Sequence, residues 1–270
     1  YTGGKPIDPA KPTVVFIHGV LNDHSVWILQ SRYFAHHGWN VLAIDLPGQG
    51  KSGGQPPESV EHAADTVIAL LDALGVDQAA LVGHSFGSLI ALEAAARAPA
   101  RVSHLALVGT AFPMPVSPAL LENSVKAPEK AIHMVNVFSH STLCPPPSAL
   151  GPGTWLYGGS RALMRRMLAS NAETNVFYTG FKACNDYAKR RAGNGGRALP
   201  HAVPGWPARP DDTAQGRQGA GRARAAGQNR RGERRPRADD RGARRGAVCA
   251  AGLSGRVTGR VVQAVDLLFL

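Results

Sequence analysis

Four short apolar runs occur in the first 110 residues, and each ends in a small or polar residue. They are TVVFIHG at 13–19, NVLAIDLPG at 40–48, AALVGHS at 79–85 and HLALVGT at 104–110. Their Val, Ile, Leu, Ala and Phe residues follow one another without the in-out alternation of a half-exposed sheet. The pattern predicts four parallel strands that are buried on both faces of a sheet.

Helical patterns separate these strands, at about 24–36, 59–74 and 86–98. The second, SVEHAADTVIALLDALG, ends at Gly75 as a stop. This alternation predicts an α/β fold with a doubly wound, mostly parallel sheet and right-handed crossovers. Ligands bind at the carboxyl ends of the strands in such sheets, so the Gly, His, Asp and Ser residues there are the candidates for chemistry.

The pattern changes after residue 112. Residues 113–182 contain short helical stretches such as PEKAIHMVNVFSH and SRALMRRMLAS, with a proline-rich loop at 144–153. We expect an inserted helical cap over the strand ends, and ordinary packing helices are the alternative. The predicted organisation is a core at 1–112, a cap at 113–182 and a tail at 183–270.

The net charge of +11 belongs to the tail. Residues 1–188 carry 12 Lys and Arg against 13 Asp and Glu, whereas residues 189–270 carry 18 against 6. Arg- and Gly-rich segments of this kind bind RNA or membranes in some proteins. Trp206 is the lone aromatic residue between 189 and 246, which weakens the case for base stacking, and no specific nucleic acid is expected.

Cys144, Cys184 and Cys249 show neither a disulfide framework nor zinc-type spacing, which favours a reducing compartment such as the cytoplasm. No apolar run reaches the roughly 18 residues that a membrane span needs, and the N-terminal residues lack the pattern of a signal peptide. We expect no metal and no cofactor. The sequence does not indicate an oligomeric state.

The segment Gly83-His84-Ser85-Phe86-Gly87 fits the pattern G-x-S-x-G between a predicted strand and a predicted helix. A nucleophile elbow at this point holds its serine in a strained backbone conformation, and the glycines leave room for the close helix–strand crossing. The following helix N-terminus favours developing negative charge. Ser85 is therefore the predicted nucleophile, and a glycine-rich turn capped by a serine is the alternative.

A second motif, HGVLNDHSVW, follows the first strand directly. The His18-Gly19 pair lets the backbone curl so that the amide of Val20 faces the same point as the amide of Phe86. Two such donors form an oxyanion hole for a tetrahedral intermediate. For His18 we expect a structural role in holding the loop by hydrogen bonds rather than acid–base chemistry.

These motifs resemble those of α/β-hydrolase fold proteins, in particular cap-bearing esterases, lipases and C–C hydrolases, over residues 13 to about 187. The matching residues are His18-Gly19, Asp45-x-Pro47-Gly48-x-Gly50-x-Ser52 and Gly83-x-Ser85-x-Gly87. Gln49 stands where many of these proteins carry His, at a position outside the catalytic set. Haloalkane dehalogenases and epoxide hydrolases resemble this pattern but use Asp at the elbow. Segment 45–54 lacks the spacing of a phosphate-binding loop.

The resemblance implies a Ser, then an Asp after a late strand, then a His before the last helix. Serine needs that base because its hydroxyl is a poor nucleophile unaided. After residue 188 the chain offers His201 and Asp211-Asp212, in an Arg-, Gly- and Pro-rich tract without a strand-like run. We therefore expect no catalytic acid or His in frame, a C-terminal part of the fold that is missing or disordered, and an exposed sheet edge that lowers stability.

A wrong-frame translation of GC-rich DNA is the second interpretation of this tract, beside a disordered basic tail that binds RNA or membranes. Back-translating residues 197–214 and dropping one base allows VPCPTLFLAGQRDQMTP, a buried strand followed by an acid loop. Residues 229–252 treated in the same way allow TAVASGGHAPMTEAPDEVLSALR, a His loop followed by an amphipathic helix. The lost Asp would straddle codons 209 and 210, and the lost His codons 236 and 237. The hypothesis is that one base was gained near codons 188–189.

The predicted function is that of a serine hydrolase that cleaves a small ester or related carbonyl compound through an acyl-enzyme. Loss of the acid and the His would leave this chain with little activity. Perhydrolase or haloperoxidase chemistry uses the same residues and is not separable from the sequence. The competing class is a non-catalytic pseudo-hydrolase whose basic tail recruits an anionic partner.

Overall fold

The computed structural model describes residues 1–139, 155–193 and 261–264, with the backbone alone for 188–193 and 261–264. These ranges contain five strands and seven helices. In chain order they are β1 Thr13–Ile17, α1 Ile28–His36, β2 Asn40–Ile44, α2 Val60–Ala73, β3 Ala79–His84, α3 Phe86–Arg97, β4 Val102–Val108, α4 Pro118–Lys126, α5 Pro128–Phe138, α6 Leu156–Ala169, α7 Val176–Gly193 and β5 Val261–Ala264. Short 3-10 turns at His24–Trp27 and Pro99–Arg101 precede α1 and β4.

The five strands form one parallel sheet in the order β2-β1-β3-β4-β5. Strand β1 lies between β2 and β3, with Thr13 opposite both Asn40 of β2 and Ala79 of β3. The order reverses direction between β1 and β3, as in doubly wound sheets. The predicted fold class, a mostly parallel α/β sheet, is therefore confirmed.

Alternate residues of β1 face two different helical layers. Val15 and Ile17 pack into a large core together with α2 and α3. Val14 and Phe16 point to the other face, where they pack with Trp27 and the side chains of α1. Because both faces are covered, every β1 position is buried, and this explains the unbroken apolar runs of the sequence.

Helix α2 begins and ends where its sequence pattern predicts. The Ser59 side chain accepts a hydrogen bond from the amide of His62 at 3.1 Å and so caps the first turn. Gly75 follows the helix with a φ of 62°, a left-handed conformation that favours glycine after a helix end. The apolar face between these ends packs on the sheet.

Helices α4, α5 and α6 occupy the stretches that the sequence marks as short helices, whereas α7 was not predicted. Its first residues, VFYT, are β-branched or aromatic and have weak helix propensity. Packing stabilises the helix instead, because Phe177, Cys184 and Tyr187 are almost completely buried on one face. Helix α7 also runs without a break through the predicted cap–tail boundary at 182–183.

The described sheet continues one strand beyond the four predicted ones, because β5 pairs with β4 in parallel from Leu105–Val261 to Val108–Ala264. The expected exposed edge therefore falls at β5, the last strand of the described sheet, rather than at β4. The sequence VVQA at 261–264 was not predicted as a strand, but its β-branched valines favour one beside the open hydrogen-bonding groups of β4. The other tail residues, including His201 and Asp211-Asp212, lie outside the described residues. The loop at 144–153 and the hypothetical frame-shifted codons also lie outside them.

Candidate active site

Ser85 occupies the sharp turn between β3 and α3, which we call the Ser85 turn (residues 83–87). Its φ of 53° and ψ of −117° are rarely adopted by residues with a side chain. The Ser85 amide donates to the carbonyl of Val108 at 2.9 Å, and the amide of Ser88 donates to the Ser85 carbonyl at 2.9 Å. Hydrogen bonds from β4 and α3 therefore hold the strained backbone.

The two glycines of the Ser85 turn are required by close backbone contacts. A Cβ at Gly83 would lie 2.7 Å from the Cα of Ser88 and closer still to the carbonyl of Gly87. A Cβ at Gly87 would lie 2.7 Å from the carbonyl oxygen of His18 and closer still to that of Ile17. The G-x-S-x-G pattern is thus a steric condition for bringing β1, β3 and α3 together.

The Ser85 side chain is half-buried at the carboxyl end of β3. Its Oγ has no hydrogen-bond partner among the described residues, and no His nitrogen there lies within bonding distance of it. The chain at Gly19 passes close by, because a Cβ at that position would lie 3.1 Å from the Cβ of Ser85. The hydroxyl therefore lies beside the 18–25 loop without a base from residues 1–139 or 155–187.

The 18–25 loop follows β1 and carries the predicted oxyanion donor Val20. Leu21 has a φ of 55°, and the amide of Asn22 donates to the Gly19 carbonyl at 3.2 Å, so the chain turns back on itself here. Phe86 is the first residue of α3, and amides in the first helical turn have no partner within the helix. Phe86 follows Ser85 directly, and Val20 follows Gly19, whose backbone passes close to the Ser85 side chain.

His18 is completely buried, and both of its ring nitrogens are engaged. Nε2 accepts a hydrogen bond from the Leu46 amide at 3.1 Å, so Nδ1 carries the proton and donates to the Gly19 carbonyl at 2.8 Å. Burial lowers the pKa of His18, which keeps the ring neutral. His18 thus joins the loop after β1 to the loop after β2 and has no nitrogen left for proton transfer.

His84 precedes the candidate nucleophile, and its ring lies between the ends of β1 and β4. A Cβ at Gly19 would lie 3.1 Å from its Nδ1, and one at Gly109 would lie 3.5 Å from its Nε2. Burial, together with the nearby His18, lowers the pKa of His84 to about 4. The ring is therefore neutral at physiological pH and a weak base.

The sequence marked Asp45 as a motif residue but did not predict its partner, His24. The carboxylate of Asp45 accepts hydrogen bonds from the backbone amide of His24 at 2.7 Å and that of Lys51 at 3.0 Å, and contacts the His24 ring at 2.8 Å. Burial alone would raise the pKa of Asp45, but these hydrogen bonds lower it below its ordinary value. Asp45 thereby orders the loops that follow β1 and β2.

Residues 12–140 match the family model for the alpha/beta hydrolase fold. The matched segment contains the parallel strands β1 to β4, the Ser85 turn and the 18–25 loop. Residues 12–140 belong to the α/β-hydrolase fold family. In this family-level sense the resemblance inferred from the motifs is confirmed.

Solved structures of this family resemble the chain over about two thirds of its length. An esterase from Exiguobacterium antarcticum matches with a TM-score of 0.54 at 19% identity, covering 66% of this chain and 68% of that one. An enol-lactonase from Burkholderia xenovorans LB400 matches with a TM-score of 0.53 at 22% identity, covering 67% of each chain. At these identities the likeness shows the fold alone.

Curated relatives are more similar in sequence but over shorter segments. The acetyltransferase component of the acetoin cleaving system of Pseudomonas putida is 36% identical over 110 residues, 40% of this chain and 28% of that protein. Bifunctional epoxide hydrolase 2 of Mus musculus is 32% identical over 133 residues, 48% of this chain and 23% of that protein. The chain thus matches less than a third of either relative.

In the described ranges, no cluster of three or more His, Cys, Asp and Glu side chains has the arrangement of a metal site. None of the helices in these ranges combines the length and the apolar character that crossing a bilayer requires. Of the predicted site residues, the structure brings together Ser85, Val20, Phe86, His18, His84 and the glycines at 19, 83 and 87.

Proposed function

We propose that this α/β-hydrolase acts on a small ester or related carbonyl compound, with Ser85 as the nucleophile. The observation that carries the proposal is the Ser85 backbone, which is held in a strained conformation beside the 18–25 loop and at the first turn of α3. A strained residue of this kind at the end of a parallel strand is typical of catalytic positions. Relatives named as epoxide hydrolases share the fold, but Ser85 stands where that branch carries Asp.

In the proposed reaction the Ser85 Oγ attacks the carbonyl carbon and its proton leaves to a base. The carbonyl electron pair moves onto the oxygen, and the amides of Val20 and Phe86 donate to this oxyanion. The positive end of α3 adds to the same stabilisation. Collapse of the tetrahedral intermediate expels the alcohol and leaves an acyl group on Ser85, which water then hydrolyses.

None of the described residues is a suitable base for the Ser85 hydroxyl. His18 uses both ring nitrogens, and His84 has a pKa of about 4 and no bond to the Ser85 hydroxyl. We propose that the acid and the His of the family are lost to a one-base shift near codons 188–189. Without them we expect only the roughly 10³- to 10⁴-fold acceleration over water that binding and the oxyanion hole supply.

A fluorophosphonate probe tests the nucleophile directly. We expect slow labelling of the chain at Ser85, located by mass spectrometry, and no label in Ser85→Ala. Ser103→Ala changes a half-buried serine in β4 away from the turn and should be labelled like the parent chain. A label on other residues, with none at Ser85 even after prolonged exposure, would contradict the proposal.

The charge asymmetry supports a second candidate, a pseudo-hydrolase that recruits an anionic partner through its basic tail. Residues 189–270 hold the whole positive excess of the chain. Binding of this kind falls steeply with salt, because each neutralised phosphate releases a counterion. Tight, salt-sensitive binding to RNA by a chain that no probe labels at Ser85 would favour this function. The cytoplasmic location predicted from the cysteines remains a proposal for either function.

A further inference from the structure

Helix α7 contacts the residue that carries the proposed oxyanion amide. At Gly180 the helix has no side chain, and a Cβ there would lie 3.0 Å from Cγ2 and 3.1 Å from Cγ1 of Val20. Both distances are tighter than ordinary van der Waals contact. The isopropyl group of Val20 therefore packs directly on the backbone of α7.

The same face of α7 contacts the helix that begins at the Ser85 turn. The Tyr187 hydroxyl donates to the Glu93 carboxylate of α3 at 2.6 Å, and both residues are buried. Glu93 also accepts from Nε of Arg97 at 2.9 Å. Gly180 and Tyr187 are two helical turns apart and so lie on one face. Helix α7 thus joins the 18–25 loop to α3.

Helix α6 makes a second contact with the 18–25 loop. Arg166 donates to the Asp23 carboxylate at 2.7 Å, and the same carboxylate accepts from the amide of Ser25 at 2.9 Å. Asp23 is buried, whereas Arg166 is largely exposed. The other two arginines of α6, Arg161 and Arg165, pair with Glu129 of α5 instead. Arg166 is therefore the arginine of α6 that reaches the loop.

We propose that helices α6 and α7 set the position of the Val20 amide, with Gly180 and Arg166 as the positioning residues. The inference rests on the proposed function, which gives Val20 its role at Ser85. An oxyanion donor is effective only when it lies about 2.7–3.1 Å from the developing charge. A shift of a few tenths of an ångström in these helices therefore changes the rate of attack at Ser85 without altering Ser85 itself.

Two glycine substitutions in helices provide the main test. Gly180→Ala places a methyl group against Val20, whereas Gly159→Ala on α6 meets no atom within 4 Å. Both replacements raise helix propensity. We expect Gly180→Ala to lower the maximal rate of Ser85 labelling by about tenfold, a fraction of the loss on removing a donor. The probe concentration for half-maximal rate should not change, and Gly159→Ala should match the parent chain.

Two arginine substitutions in α6 test the second contact. Arg166→Ala should lower the maximal labelling rate by about threefold, because a partly exposed ion pair contributes modestly. Arg165→Ala removes an ion pair from the same helix but not from the loop, and its labelling should match that of the parent chain. Arg166→Lys keeps the charge and should recover most of the rate. If Arg166→Ala and Arg165→Ala lose the same rate, the effect is one of general stability and the proposal is wrong.

Amide hydrogen exchange separates failure of this inference from failure of the proposed function. Peptides that span residues 19–27 should exchange faster in Gly180→Ala and Arg166→Ala than in Gly159→Ala and Arg165→Ala. If the parent chain is not labelled at Ser85, the proposed function fails, but this exchange difference would still support positioning of the loop. Unchanged exchange in residues 19–27 of both variants would overturn the inference whatever the labelling shows.

Discussion

The Ser85 turn and the 18–25 loop lie beside each other, but they are held in place in different ways. The turn depends on its own glycines and on hydrogen bonds from the adjoining β4 and α3. The loop depends in addition on Gly180 and Arg166, which lie more than 140 residues away in the chain. The proposed nucleophile is thus positioned by glycines of its own turn and by the neighbouring strands, whereas the proposed oxyanion donor depends in addition on helices that are distant in the chain.

The largest effect should come from restoring the catalytic acid and His that Ser85 needs. Deleting one nucleotide near codons 188–189 would restore a reading frame that encodes this Asp and this His in the family order. We expect ester hydrolysis to rise by about a thousandfold or more, because loss of a whole triad costs about 10⁶-fold in rate. Steady-state assays of the two chains with a simple aryl ester measure this. Equal rates would show that the shifted frame supplies no catalytic base.

The next largest effect is expected from a substitution that disrupts the Ser85 turn but leaves the contacts of the 18–25 loop in place. Gly83→Ala places a methyl group against the Gly87 carbonyl, and we expect it to cost about 3 kcal/mol or more in the free energy of unfolding. Labelling at Ser85 should be lost. Gly53→Ala is the control, because a Cβ there meets nothing within 4 Å. Urea unfolding of both variants gives the comparison, and similar midpoints would contradict the steric account.

A smaller effect is expected from a substitution that weakens the packing of α7 on α3. It should affect the 18–25 loop more than the Ser85 turn. Tyr187→Phe removes a hydrogen bond to a buried carboxylate, which should cost about 2 kcal/mol. Tyr178→Phe, on the same helix, is the control, since its hydroxyl donates no hydrogen bond to a described residue. Thermal unfolding and exchange of residues 19–27 should both change in Tyr187→Phe. A loss of stability without faster exchange would show that α7 does not hold the 18–25 loop in place.

The last expected effect is absent at neutral pH and concerns the acid stability of the Ser85 turn. Burial lowers the pKa of His84 from 6.5 to about 4, so unfolding takes up a proton between these values. The free energy of unfolding should therefore fall as the pH falls from about 6.5 to 4. His84→Gln should reduce this dependence, whereas His62→Gln, at an exposed position on α2, should not. Urea unfolding at several pH values gives the change of the free energy of unfolding with pH. The same pH dependence in His84→Gln as in the parent chain would contradict this role of His84.

Much of the core could be predicted because its information is local. Strands β1 to β4 lie within a few residues of their apolar runs, and Ser59 and Gly75 mark the ends of α2 by capping chemistry. The Ser85 turn follows from two glycines whose neighbours leave no room for a side chain. For the strands and for α2 the residues that decide the structure adjoin it in the sequence. The glycines of the Ser85 turn are also local, although the atoms that they approach include the carbonyls of Ile17 and His18.

Long-range packing was needed for the rest. Helix α7 has weak propensity at its start and forms because its apolar face is buried, and β5 forms where β4 leaves hydrogen-bonding groups open. The sequence around Gly180 does not predict its contact with Val20, because the role of a glycine inside a helix depends on the residue that packs against it. Propensity and turn chemistry act over a few residues, whereas the position of an amide beside a nucleophile depends on every element packed against its loop.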